Sequence, residues 1–182
     1  PASGYLRWFT GQTAHGGLSR TAIFPIEGLM TIVEHGGMGG QFTLDGNEPL
    51  NPGVGKRLTT PAHMFSVGYT AGHEAELLAG EIRTSGYRTI GLVHPNGMYH
   101  GVVGPLKDKL ANFRFIDATD SIDLLISIKS EFEQGLIRKA AAMQDSILEK
   151  LRSFIKPGLK DFEVIAYAEY LGTLAGSTDG TF

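Results

Sequence analysis

The sequence predicts an α/β fold: a mixed sheet with flanking helices, followed by two longer amphipathic helices. Three observations carry this reading. The first sixty residues are rich in glycine and β-formers, with short apolar runs between turn signals. From residue 73 onward, helix-like and strand-like stretches alternate, the pattern of helices packed on a sheet. Beyond residue 130, apolar residues recur at helical spacing for more than 20 residues.

Taken in order, residues 5–10, 21–25 and 29–34 read as short strands separated by glycine-containing turns. Glu27-Gly28 suits a hairpin turn between the second and third. Residues 36–55 read as a loop, rich in glycine and broken by Pro49 and Pro52, and residues 64–69 as a further strand. Residues 73–84 place Leu77, Leu78 and Ile82 on one face of a helix that Ser85-Gly86 ends. Residues 89–93 form a short apolar strand, 98–110 a helix with a weak point at Gly104-Pro105, 113–116 a strand and 120–128 a short helix. No period of a repeat architecture is present.

The last two helices have the clearest signals. Ser130 followed by Glu133 is a capping box, in which each side chain satisfies a backbone donor of the other. Phe132, Leu136, Ile137, Met143, Ile147 and Leu151 then mark one stripe, and Pro157-Gly158 breaks it. Asp161 opens the next helix, where a carboxylate complements the dipole, and Gly176 closes it. Such stripes need a covering surface. The first 128 residues offer part of one, and a sheet further downstream is the more natural cover. The chain also opens on Pro1 rather than Met, so the sequence is expected to be a piece of a longer protein.

Composition narrows the function classes. Net charge is −3, from 16 basic and 19 acidic residues. Up to residue 128 there are 9 basic and 11 acidic residues, and after it 7 and 8. Neither part is a basic platform, so nucleic acid is not expected as a partner. The chain contains no cysteine, which removes disulfides, thiolate metal sites and cysteine nucleophiles and fits a cytoplasmic protein. No apolar run reaches membrane-spanning length, and no membrane association is expected.

Several segments together resemble one family. These are Ile128-Lys-Ser-Glu-Phe-Glu133, Leu136-Ile-Arg-Lys-Ala-Ala141, Ile155-Lys-Pro-Gly-Leu159, Asp161-Phe-Glu-Val164 and Gly176-Ser177, preceded by Asp117-Ala-Thr-Asp-Ser-Ile-Asp123. They are similar to the linker and first helices of the pita-bread domain of the M24 metallopeptidases, which include Xaa-Pro aminopeptidases, prolidases and creatinase. Gly4-Tyr-Leu-Arg-Trp-Phe-Thr-Gly11 resembles the strand and turn near the start of the creatinase-type N-terminal domain. The resemblance implies a creatinase-like N-terminal domain over residues 1–128 and the first pita-bread helices over 129–182. It implies two divalent metal ions (Mn, Co or Zn) in the parent protein, held by two Asp, one His and two Glu outside this chain, and no cofactor in the chain itself. It further implies a homodimer acting on a peptide or small-molecule substrate, with this portion recognising substrate and contacting the partner subunit, inactive by itself. Creatinase-like hydrolysis of a C–N bond and a non-catalytic binding role are the alternatives, since fold does not fix reaction.

Among individual residues, Trp8, Phe9, Gln12 and His15 are the candidate substrate-binding set. An aromatic pair beside Thr10-Gly11 puts large rings at an edge facing a glycine-rich loop. In the resembled family this edge lies over the partner's active site, and Phe9 matches an aromatic there. His15, His35, His63, His73, His94 and His100 lack metal-motif spacing and read as loop or surface residues. Asp117, Asp120 and Asp123 read as helix caps. The run Gly36-Gly-Met-Gly-Gly40 lacks the spacing of a phosphate loop and reads as a hairpin loop. No catalytic residue and no metal ligand is assigned.

Overall fold

The backbone of residues 20–35 doubles back at residues 26–28, where Gly28 takes a left-handed φ of 96°. Strand β1 (Arg20–Ile23) thereby pairs antiparallel with β2 (Met30–His35), Ile23 opposite Thr31, as the Glu27-Gly28 signal predicts. The computed structural model describes residues 4–11, 19–36, 38–49, 51–61 and 67–177, the side chains of 67–71 aside.

The segment expected to be a loop contains one strand, and a second follows across its end. Strand β3 (Gly40–Thr43) and strand β4 (Val54–Thr60) complete a four-stranded sheet in the order β1-β2-β4-β3. β4 inserts between β2 and β3, parallel to the first and antiparallel to the second. The glycine run at 36–40 therefore connects strands that are not neighbours, so it is not a hairpin loop. β3 is exposed along its length and has no apolar alternation to betray it. β4 carries Gly55, Lys56 and Arg57 in a central strand, where pairing rather than apolar character makes burial possible: Lys56 Nζ lies 2.8 Å from Glu81. Gly55 is the extra residue of a bulge opposite Met30 and Thr31, and a Cβ there would come within 2.7 Å of the Leu29 Cβ.

Residues 5–10 are helical, not a strand. Helix α1 (Gly4–Thr10) buries Thr10, whose hydroxyl donates to the Leu6 carbonyl at 2.8 Å, and ends at Gly11, with φ 70°. A short apolar run carries no periodicity long enough to separate the two states, and the glycine read as a turn is a helix cap. Residues 67–69 are likewise helical, at the start of α2 (Val67–Thr84); the rest of the strand expected at 64–69 lies outside the described residues.

The remaining elements follow the sequence. After α2 come β5 (Thr89–Leu92), a 3₁₀ turn (Pro95–Gly97), α3 (His100–Lys109), β6 (Arg114–Asp117) and α4 (Thr119–Ser127). α3 runs through Pro105, which forfeits one backbone bond while Val102 and Leu106 stay buried. β5 and β6 pair in parallel. Ala75, Leu78, Ala79 and Ile82 of α2 pack with Val33 and Leu58 of the sheet and with Val102, Leu106 and Leu110 into the main core. On the other face of the sheet, Met30, Ile32 and Val54 form a smaller core under Phe9 and Leu44.

The chain divides into two compact units after Asp123. In the second, α5 (Glu131–Phe154) begins with the expected capping box at Ser130 and Glu133, and α6 (Asp161–Leu174) follows the Pro157-Gly158 turn. Ile147, Ala168 and Leu171 are buried in this unit, and the Phe154 and Tyr167 rings stack at 4.2 Å.

Candidate functional site

Helical rather than extended geometry decides how the candidate aromatic pair is displayed. Neighbours on a helix are 100° apart, so Trp8 and Phe9 share an edge of α1 instead of opposite faces. Phe9 is half-buried on Met30, Ile32 and Val54, whereas Trp8 is 41% exposed. Their rings meet edge-on at 5.0 Å, and Phe9 meets Phe24 at 5.0 Å in turn. Phe24, Ile26 and Leu29 around the β1–β2 turn are exposed as well. The result is an apolar ledge in which Phe9 is the anchor and Trp8 and Phe24 are the surfaces offered to solvent. Phe24 was not singled out from sequence, since only the fold brings it to Phe9. Gln12 and His15 lie outside the described residues.

The aspartates near residue 120 have separate tasks. Asp117 Oδ1 accepts from the Thr119 N–H at 2.9 Å and from its hydroxyl at 2.5 Å, fixing the start of α4. Those hydrogen bonds, with help from nearby His94, hold the Asp117 carboxyl below its ordinary range. Asp123 accepts from the Tyr5 hydroxyl at 2.6 Å, which with burial and the surrounding aspartates pushes that phenol above its ordinary range. His94 adopts a left-handed backbone, φ 57°, its N–H donating to Thr119 Oγ1 at 2.9 Å and its ring 5.6 Å from Tyr5. The capping expected of this cluster is made by Asp117. Asp123 ties α1 to α4.

Sequence reasoning missed a buried polar group altogether. Glu74 of α2 is fully buried, and accepts hydrogen bonds from the hydroxyls of Ser19 and Thr21, the latter at 2.6 Å. His35 Nε2 stands 3.7 Å from Glu74 and 3.4 Å from Ser19 Oγ. Serine, histidine and glutamate invite comparison with a nucleophilic triad, but the arrangement is wrong for one. The carboxylate and the hydroxyl face the same imidazole nitrogen, so the acid cannot orient the ring from its far side. The hydroxyl is also buried away from any substrate. The group clamps α2 to β1 and β2.

Among the described residues no three His, Asp or Glu side chains converge as metal ligands. The described residues thus do not offer the ligands of a metal pair. No helix among them is long and apolar enough to cross a membrane.

No family model matches the chain. An uncharacterized hydrolase/peptidase of Sinorhizobium fredii is 34% identical over 74 residues, 41% of this chain and 18% of that protein. Among solved structures, the chain is similar over its whole length to 45% of a Xaa-Pro dipeptidase from Bacillus anthracis, with a TM-score of 0.69 and 16% identity. A prolidase from Thermococcus sibiricus matches 98% of the chain over 45% of its own, with a TM-score of 0.68 and 18% identity. The chain therefore spans less than half the length of the solved chains it matches. Its fold, a mixed sheet with flanking helices, is that of the N-terminal part of these peptidases, as the M24 resemblance implied.

Proposed function

We propose that this chain is the N-terminal, substrate-recognising portion of an M24-type hydrolase that cleaves Xaa-Pro peptides. The observation that supports this most strongly is the alignment of the entire chain with under half of a Xaa-Pro dipeptidase, leaving room in the parent for a catalytic domain. The short but higher-identity match to a hydrolase/peptidase points the same way. Trp8 meets substrate in this reading, with Phe9 holding it from behind, and Gln12 and His15 complete the substrate-binding set. A flat aromatic surface suits the apolar flank of a proline ring at little entropic cost. The two divalent ions, Mn, Co or Zn, that the M24 resemblance implies would be held by residues in the rest of the parent and would supply Lewis-acid chemistry there. The chain alone is inactive, works as part of a homodimer, and resides in the cytoplasm.

The test compares two proteins on a panel of Xaa-Pro dipeptides and on creatine, each with added Mn, Co or Zn. The 182-residue chain shows no turnover, whereas the parent cleaves the Xaa-Pro bond. In the parent, Trp8→Ala raises KM about tenfold with kcat little changed, because uniform binding is lost. Metal-dependent turnover by the chain alone overturns the division of labour. Cleavage of creatine but not of peptides replaces the peptidase reading, and an unchanged KM removes Trp8 from the site.

A further inference from the structure

The face of the sheet turned away from α2 carries a charged group that neither the core nor the aromatic ledge uses. Strand alternation places Arg20, Glu34 and Arg57 on this side with Ile32. Phe42 joins them, opposite Arg57 in the β3–β4 pairing. Arg20 donates to Asn51 Oδ1 at 2.9 Å and lies 3.5 Å from Glu34. Arg57 approaches the same carboxylate from the other side at 3.8 Å, too far for a hydrogen bond. Its guanidinium is stacked over Phe42 at 4.8 Å, and its Nε has no hydrogen-bond partner among the described residues.

One carboxylate between two guanidiniums sums to a charge of +1. The Arg20 side chain is 4% exposed, so this charge is backed by a group that cannot swing out into water. Arg57 is 34% exposed and held in place by a ring, which restricts its fork before any ligand arrives. A surplus positive charge, a planar fork and an exposed aromatic edge together describe a receptor for an anion with an apolar body. A dianion would be only half neutralised by a surplus of one, whereas a monoanionic carboxylate is matched in charge and in planar shape.

We propose that Arg57, backed by Arg20 and framed by Glu34 and Phe42, binds a carboxylate monoanion on this face of the sheet. Burial, opposed by Glu34 and reinforced by Arg57, holds the Arg20 guanidinium below its usual range, consistent with two cations held close together. The proposal stands apart from the peptidase reading, because it concerns this chain's own sheet. Two sources share the chemistry: the C-terminus of a short peptide and a free organic acid.

The experiment titrates the ¹⁵N-labelled chain and follows the arginine Nε–H signals by NMR at constant ionic strength. The probes are sodium acetate, an acetylated dipeptide, inorganic phosphate and sodium chloride. Both carboxylates are expected to shift the Arg57 signal saturably and chloride is not. Tighter binding of the acetylated dipeptide identifies a peptide terminus as the source, and equal binding identifies a small acid. Arg57→Gln weakens binding about tenfold, the size of one charge-assisted interaction. Arg57→Lys keeps the charge but loses the fork, and falls between. Glu34→Gln tightens binding several-fold by raising the surplus charge. A linear shift matched by chloride, or an affinity indifferent to Arg57→Gln, overturns the site. Phosphate binding as tightly as acetate overturns the carboxylate class.

Discussion

Asp117 links the stability of this protein to pH in a definite direction. Its carboxyl is held below the ordinary range by the Thr119 hydrogen bonds first, with His94 adding a smaller attraction. A folded-state pKa below the unfolded value means that the ionised form is favoured by folding. The contribution is complete above the unfolded pKa and is lost as pH falls through the folded one. Asp117→Asn keeps an oxygen that can cap α4 but has no charge to titrate. Urea unfolding is expected to show the variant less stable near neutral pH and level with the parent chain below the folded pKa; a deficit that persists undiminished in acid refutes the linkage. Tyr5 works in the opposite sense. Its raised phenol contributes stability below the unfolded pKa and loses it as pH climbs through the folded one, so Tyr5→Phe flattens the alkaline limb. Glu74 is a harder case because water cannot replace its partners. Glu74→Ala strands the Ser19 and Thr21 hydroxyls beside His35 in the interior, at about 3–5 kcal/mol, while Glu74→Gln keeps the shape and costs about 1–3 kcal/mol. Equal losses by denaturant unfolding overturn this ranking, since shape and one acceptor oxygen would then do nothing in place of the carboxylate.

At the scale of elements, legibility followed length and capping chemistry. The capping box at Ser130 was visible because both halves are local, and the structure shows the Glu133 carboxylate accepting from the Ser130 N–H at 2.8 Å and the Ser130 hydroxyl accepting from the Glu133 N–H at 3.3 Å. Ser130→Ala is expected to lower the stability of α5 by about 1 kcal/mol, with Ser130→Asp close to neutral. Helicity lost equally in both variants excludes the cap as the cause. The glycine-rich stretch shows the opposite limit. β3 is recognisable only by its pairing to β4, and β4 only by partners far away in sequence: Glu81 for Lys56, Glu34 and Phe42 for Arg57. A single chain read by periodicity sees polar residues there and infers a loop. α1 failed for another reason. Seven residues give fewer than two helical turns, and what distinguishes helix from strand is a pair of backbone-directed bonds, Thr10 to Leu6 and Gly11 to Arg7. The candidate site suffers in consequence. Its aromatic pair was found by residue type, but Phe24 and the sorting of Phe9 as anchor and Trp8 as surface needed the fold.

Across the whole molecule the two units are unequal in what they bury, and this sets which part opens first. In the first unit, α2, α3 and the sheet close over a continuous core that includes Val33, Leu58, Leu78 and Leu110, all nearly or completely inaccessible. In the second, two helices bury little beyond Ile147, Ala168 and Leu171, and leave Phe132, Leu148, Phe162 and Leu174 exposed. Local opening free energy rises with buried apolar area, at about 25 cal/mol per Å². The capping box and the ring stack of Phe154 on Tyr167 slow fraying of the second unit's ends without adding to its core. Native-state hydrogen exchange of the chain is therefore expected to rank the amides of β2, β4 and residues 75–82 as slowest. Those of α5 and α6 should exchange at least about a hundredfold faster, a difference of about 2.7 kcal/mol in opening free energy. The same measurement on the parent protein makes the comparison sharp. If a catalytic domain covers the apolar faces of α5 and α6, their protection rises towards that of the first unit while the sheet's barely changes. Equal protection of both units in the isolated chain contradicts the idea that the helix pair needs a covering surface, and with it the placement of these helices at the threshold of a larger domain.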